Sequence, residues 1–273
     1  MRRPRTRRFL LVATVATVAA GASLAALAAT GGRGAPSVSL GATGAPGQGL
    51  APPADPAFRV QQPRPLQASR FESTWAAVRQ ATPVRAGPRR AAPLVGRVEP
   101  RTPEGTTNIV LALDRAEDAR GSLWIRVRIP ALPNNTTGWV PRSTLGGYGV
   151  VSTRLVVDLS DRRLTLLRRG KAIFRAAVGV GTEQFPTPTG DFYVRNKLTR
   201  YRNAFYGPLA FGTSARSETL TDWPDGGFVG IHGTNQPALI PGQVSHGCIR
   251  LRNEAILRLA RLLPIGTPLR IRA

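Results

Sequence analysis

Ile231-His232-Gly233-Thr234 and Ser245-His246-Gly247-Cys248-Ile249-Arg250-Leu251 hold both histidines of the chain and its only cysteine. A thiol with an ordinary pKa of about 8.5 is mostly protonated at neutral pH, so a nucleophilic Cys needs a neighbouring base or positive field to become thiolate. An imidazole, titrating near ~6.5, is the natural partner. Glycines flank all three residues. They let the backbone turn tightly and aim successive amide N–H groups at a developing oxyanion. From the residues alone either His232 or His246 serves as the base, because residues two apart in an extended loop share a face and His246 stands two before Cys248.

Downstream, Asn253 is a suitable N-cap, Glu254 suits the positive helix end, and Ile256, Leu259, Ala260 and Leu263 recur at helical spacing until Pro264. Cys248 lies too far before that cap for the helix dipole to act on it directly. Upstream, 154–159, 163–167 and 172–180 alternate or run apolar, parted by Asp161-Arg162 and Arg169-Gly170-Lys171. These read as strands and turns of a meander. Between 71 and 147, short apolar runs at Ala77-Val78, Leu94-Val95, 109–113, 123–129 and 138–140 predict a small all-β unit. No internal repeat indicates a solenoid.

Residues 31–70 are dominated by Gly, Pro, Ala, Ser and Gln and predict a flexible spacer, since so little apolar surface cannot offset ordering entropy. Residues 1–30 begin with Arg2, Arg3, Arg5, Arg7 and Arg8 and continue uncharged from Phe9 to Thr30, the pattern of a signal peptide or membrane anchor. The chain is therefore expected to be exported, to the cell wall or the outer face of the plasma membrane, with membrane contact only through this segment. A single cysteine makes no internal disulfide, so Cys248 is a free thiol in an oxidising compartment. Its bland alternative is a small buried hydrophobe. Lys and Arg number 38 against 15 Asp and Glu, a formal charge of +23. That balance suits anionic cell-wall polymers; the arginines are scattered rather than interleaved with aromatics, so no nucleic-acid partner is expected.

The segments I-H-G-T and S-H-G-C-I-R-L-x-N resemble the signature of L,D-transpeptidase catalytic domains of the YkuD-like family. Thr187-Pro188-Thr189-Gly190, followed by Phe192 and Tyr193, resembles that family's T-P-x-G turn before a strand. The likeness covers 150–273. In 71–147, Thr82-Pro83-Val84-Arg85, Trp124-Ile125-Arg126-Val127 and Gly138-Trp139-Val140 resemble a bacterial SH3-like domain. There Trp124 and Trp139 either line a ligand groove or pack internally. The implied fold is mainly β with a few helices: a small SH3-like β-barrel followed by an L,D-transpeptidase-type β-sandwich.

The resemblance implies acyl transfer through a thioester on Cys248, with a peptidoglycan tetrapeptide stem as donor, a neighbouring stem as acceptor and a 3→3 cross-link as product; water as acceptor (an L,D-carboxypeptidase) and a wall protein as acceptor are the alternatives by the same chemistry. It favours His232 as base, its second nitrogen held by the Gly233 carbonyl or by Ser245. It implies an oxyanion hole from the amides of His246, Gly247 and Cys248, and substrate contacts from Arg250 and Thr234. The bland role for Arg250 is a structural salt bridge. No cofactor and no metal are implied, and carbapenem-type β-lactams are expected to acylate Cys248. Rival readings are a papain-like hydrolase, which usually places its Cys before its His, a zinc site on His232, His246 and Cys248, and a noncatalytic wall-binding protein.

Overall fold

Both expected meander turns are where the backbone turns left-handed in the computed structural model of the chain: φ is +47° at Arg162, +48° at Arg169 and +80° at Gly170. The structure describes residues 60, 62–67, 69–199, 204–220 and 227–273. The signal or anchor expected over 1–30, and the spacer as far as residue 59, lie outside the described residues.

The chain forms β1 (Arg64–Pro65), β2 (Ser73–Val78), β3 (Thr82–Arg85), β4 (Leu94–Val98), β5 (Ile109–Glu117), β6 (Leu123–Arg128), β7 (Thr137–Pro141) and β8 (Leu145–Val151). They make one sheet in the order β4-β3-β7-β6-β5-β2-β8, with β1 paired to β5. Thus Arg64 and Pro65, inside the expected spacer, are built into a sheet, opposite Arg115 and Asp114. A second sheet holds β9 (Thr153–Asp158), β10 (Arg163–Arg168), β11 (Lys171–Ala177), β12 (Gly179–Gly181), β13 (Gly190–Leu198), β14 (Ala210–Arg216), β15 (Phe228–His232), β16 (Gly242–Ser245), β17 (Ile249–Arg250) and β18 (Pro268–Arg272). Its order is β11-β10-β9-β18-β13-β14-β15-β17-β12-β16.

Period-two alternation explains the second core. Leu155 and Val157 of β9 and Leu164 and Leu166 of β10 turn inward to meet Phe192, Phe211, Ile231 and Ile249, all buried. One α-helix, α1 (Asn253–Leu259), adds Ile256 and Leu259 to that core. The expectation of a few helices is corrected to this one among the described residues, besides short 3-10 turns such as Ala204–Tyr206. The helix stops at Leu259, short of Leu263: residues 260–262 turn ahead of Pro264, which has no N–H to continue the helical hydrogen bonds and disfavours helix at the residue before it.

Trp124 and Trp139 are buried with Ala116, and Trp124 Nε1 donates to Asp118 Oδ2 at 3.0 Å. Packing, not a groove, is their place. The two sheets are parts of one compact unit. Between them Tyr193 of β13 is buried against Ile109 and Leu111 of β5, and its hydroxyl donates to the Ile109 carbonyl at 2.9 Å.

Candidate active site

β15 and β17 run parallel, with Ile231 opposite Ile249 and His232 opposite Arg250. Because β17 starts one residue after Cys248, this pairing brings the sulfur beside β15. The Gly230 N–H points at Cys248 Sγ, 3.4 Å away. A methyl placed on Gly230 would sit 3.8 Å from His232 Cδ2 and 3.9 Å from Sγ, so ring and sulfur flank the same glycine. His232 is 1% exposed, and its Nδ1 lies 2.6 Å from the Gly233 carbonyl. A carbonyl only accepts, so Nδ1 carries the proton and Nε2 is left with a lone pair. Nε2 is buried and has no hydrogen-bond partner among the described residues. The Tyr206 ring meets the imidazole edge-on at 4.8 Å between centroids.

Burial drives the His232 pKa down to about 4, with Arg250 acting the same way and the Gly233 carbonyl opposing. Burial pushes the Cys248 thiol up, against the Gly230 N–H and Arg250, which favour the thiolate. The resting pair is therefore neutral thiol and neutral imidazole rather than a preformed ion pair.

Ser245 does not hold His232. Its hydroxyl donates to the Cys248 carbonyl at 2.6 Å and accepts from the Gly247 N–H at 3.1 Å, tying the loop to itself. This corrects one expectation for the oxyanion hole: the Gly247 amide is already engaged, which leaves those of His246 and Cys248 from the expected three. Gly247 has φ of +104°, a conformation that L side chains rarely adopt. Its carbonyl accepts from Thr187 Oγ1 at 2.9 Å, and Thr187 Oγ1 accepts from the Gly181 N–H at 2.9 Å. The T-P-x-G segment thus buttresses the cysteine loop.

One cleft is lined by His232, His246, Cys248 and Arg250 together with Phe205, Tyr206, Ser217 and Phe228. His246 is exposed there, its ring 4.8 Å from that of Phe185. Arg250 is 4% exposed, stacks over Phe205 at 4.4 Å and forms no ion pair among the described residues. The salt bridge of its bland role is thus not made with any described residue, and Arg250 lines the cleft. Thr234 is corrected in the other direction. It is buried and does not line the cleft; its N–H donates to Asn253 Oδ1 at 2.8 Å and its hydroxyl accepts from the Gln236 N–H at 3.0 Å. A Cβ on Gly207 or Gly233 would collide with that Asn253 oxygen, so both glycines are needed for the loop to close on it. Gly233 and Ser245 likewise act from behind the cleft rather than inside it. Phe205, Tyr206 and Phe228 were not expected at the site; they carry no periodicity or motif that announces them. Among the described residues no group of three or more His, Cys, Asp or Glu side chains is arranged to hold a metal ion.

Residues 152–271 match the family model YkuD, the L,D-transpeptidase catalytic domain. The Bacillus subtilis (strain 168) protein YkuD, whose L,D-transpeptidase designation is provisional, is 37% identical over 113 residues, which are 41% of this chain and 62% of its own length. Its Bacillus licheniformis counterpart is 33% identical over 114 residues, 42% of this chain and 62% of its own length. The chain thus spans 62% of the length of these curated relatives. The crystal structure of an Enterococcus faecium L,D-transpeptidase C442S mutant is 24% identical and covers 44% of this chain and 49% of its own, with a TM-score of 0.35.

Proposed function

We propose that the domain matched at 152–271 makes this chain a cysteine acyltransferase of the L,D-transpeptidase type, acting on peptidoglycan stem peptides. Cys248 Sγ attacks the carbonyl carbon that precedes the terminal D-alanine of a tetrapeptide stem, and its proton passes to His232 Nε2. The tetrahedral oxyanion is met by the amides of His246 and Cys248, each donor of this kind contributing about 3 kcal/mol in well-studied hydrolases. Nε2 returns the proton to the leaving amine, D-alanine departs, and a thioester remains. The side-chain amine of a neighbouring stem then attacks the thioester. It gives its proton by way of Nε2 to the departing sulfur and forms a 3→3 cross-link. Arg250 holds a substrate carboxylate at the cleft.

The observation that carries this reading is the tautomer of His232. Its Nδ1–H is fixed on the Gly233 carbonyl, so a bare Nε2 is turned to the side where Cys248 lies across Gly230. His246, by contrast, is exposed at the cleft with its ring against Phe185. In the same reading the N-terminal arginine-rich and apolar run exports the chain, the first sheet is a module of SH3-like type, and the net charge of +23 draws the chain to anionic wall polymers.

The test is incubation of the purified protein with a defined disaccharide-tetrapeptide, followed by mass analysis. A dimer lacking one D-alanine is the expected product; a trimmed tripeptide would make the chain an L,D-carboxypeptidase, and unchanged substrate would overturn the enzymatic reading. A carbapenem is expected to add its mass to the protein once, and to add nothing to Cys248→Ala.

A further inference from the structure

The catalytic elements all lie in the second sheet, yet one wall of the cleft is held from the first. Phe228 lines the cleft. Two guanidiniums pack on its ring, Arg195 at 3.8 Å and Arg216 at 5.1 Å from the centroid. Arg195 is 1% exposed, and a buried cation keeps its place only when its charge is met. Glu104 meets it at 2.6 Å. The same carboxylate accepts from Asn196 Nδ2 at 3.2 Å, and Thr106 Oγ1 accepts from that nitrogen at 3.0 Å. Glu104 and Thr106 belong to the tight loop closed by the Arg101–Thr107 bridge, between β4 and β5 of the first sheet.

A second loop of the first sheet holds the other arginine. Asn134, between β6 and β7, donates from Nδ2 to the Arg216 carbonyl at 2.8 Å and accepts from the Arg216 N–H at 3.0 Å. Ser217, the next residue, also lines the cleft, and its N–H donates to the Gly227 carbonyl beside Phe228 at 2.8 Å. Two loops that are far apart in sequence thus converge, through Arg195 and Arg216, on one aromatic ring facing the reactive cysteine.

We propose that Glu104 and Asn134 are positioning residues for the substrate cleft. The first sheet fixes the Phe228 wall and thereby sets which acyl donors reach Cys248. The proposal rests on the acyl-transfer reading for its substrate, but not for its measurement. Glu104 reaches the cleft through Arg195 and the ring and touches neither Cys248 nor His232, so disturbing it loosens the wall while leaving the sulfur and imidazole in place. For a stem-peptide donor the consequence is a higher KM with little change in kcat.

The full chain carrying Glu104→Gln, Asn134→Ala, Phe228→Leu and the pairwise combinations with Phe228→Leu is labelled at Cys248 with two reagents. Iodoacetamide is small and N-benzylmaleimide has to pass the wall. Each single variant is expected to raise the ratio of benzylmaleimide to iodoacetamide rates about threefold or more, with the iodoacetamide rate held within about twofold. Either combination should show no more than Phe228→Leu alone, because residues acting through one ring are not additive. An unchanged ratio in both Glu104→Gln and Asn134→Ala, or effects that multiply in the combinations, overturns the proposal. Should Glu104→Gln fail to fold with Arg195 unpaired, Asn134→Ala and its combination decide alone. The ratio is readable in a protein that turns over no stem peptide, so failure of the catalytic reading and failure of this one leave different records.

Discussion

His232 is an imidazole that the fold keeps from charging. Its pKa of about 4 in the folded protein stands against 6.5 when solvated. Between those values the unfolded chain binds a proton that the folded chain refuses, so acid favours unfolding. The loss begins as pH falls below 6.5 and reaches ~3 kcal/mol below pH 4. His232→Asn retains a donor for the Gly233 carbonyl and lacks the titration. Urea unfolding of both proteins from pH 7 to 4 should therefore show the wild-type chain losing more stability, by that amount. Parallel curves would mean that the ring is not buried as described. The sulfur titrates the other way, because burial holds the thiol above its ordinary value. Alkylation of Cys248 by iodoacetamide is expected to climb steadily through pH 8 and 9. A plateau at or below pH 7 would reveal a resting thiolate-imidazolium pair and refute the neutral one.

At the scale of elements, Asn253 shows how a long-range demand overrides a local signature. It opens α1, where sequence pattern makes it a cap; yet the cap residue is Arg252, with no side-chain cap bond, and Asn253 Oδ1 serves the Thr234 N–H instead. The magnitudes favour that choice. A capping bond is worth about 1 kcal/mol, whereas a buried amide left unpaired costs about 1–3 kcal/mol, and this amide lies in the loop that carries the Gly233 carbonyl. Asn253→Asp preserves the acceptor and should keep turnover and helical circular dichroism. Asn253→Ala should keep the helical signal but lose turnover by about tenfold or more, as the loop behind His232 relaxes. Equal losses in both variants would make the residue an ordinary helix position. Local rules served the sequence reading well where structure is local: the meander turns, the alternation in β9 and β10, and the gathering of histidines and glycines around Cys248 were all legible. What escaped were contacts set by sheet register. Thr187 reaches Gly247, Asn253 reaches Thr234, and the Tyr206 ring reaches His232 only after β15, β17 and β12 are aligned. No period of 2 or 3.6 encodes such a meeting. Arg250 was legible as a cleft residue by resemblance alone, and Thr234 was misplaced because a motif position does not reveal which way a side chain faces.

For the whole molecule the decisive question is whether the two sheets stand or fall together. Their junction has an apolar part, Tyr193 among Ile109 and Leu111, and a polar part, Arg195 with Glu104. Only the second is expensive to break, since removing one partner of a buried ion pair costs about 3–5 kcal/mol by stranding the other charge. The Tyr193 hydroxyl bond to Ile109 contributes about 1 kcal/mol. Melting one sheet alone would expose the apolar surface shared by Tyr193, Ile109 and Leu111, so the two sheets are expected to unfold together. Calorimetry of the chain should give a single transition, with calorimetric and van't Hoff enthalpies in agreement. Tyr193→Phe should lower its midpoint slightly and leave it single. Glu104→Gln should either lower the midpoint several times as much or split the transition in two, because the stranded Arg195 is relieved as soon as the sheets part. Two transitions in the unsubstituted chain would show that the junction does not couple the sheets. A midpoint shift in Glu104→Gln no larger than that in Tyr193→Phe would show that Arg195 finds solvent without separating them.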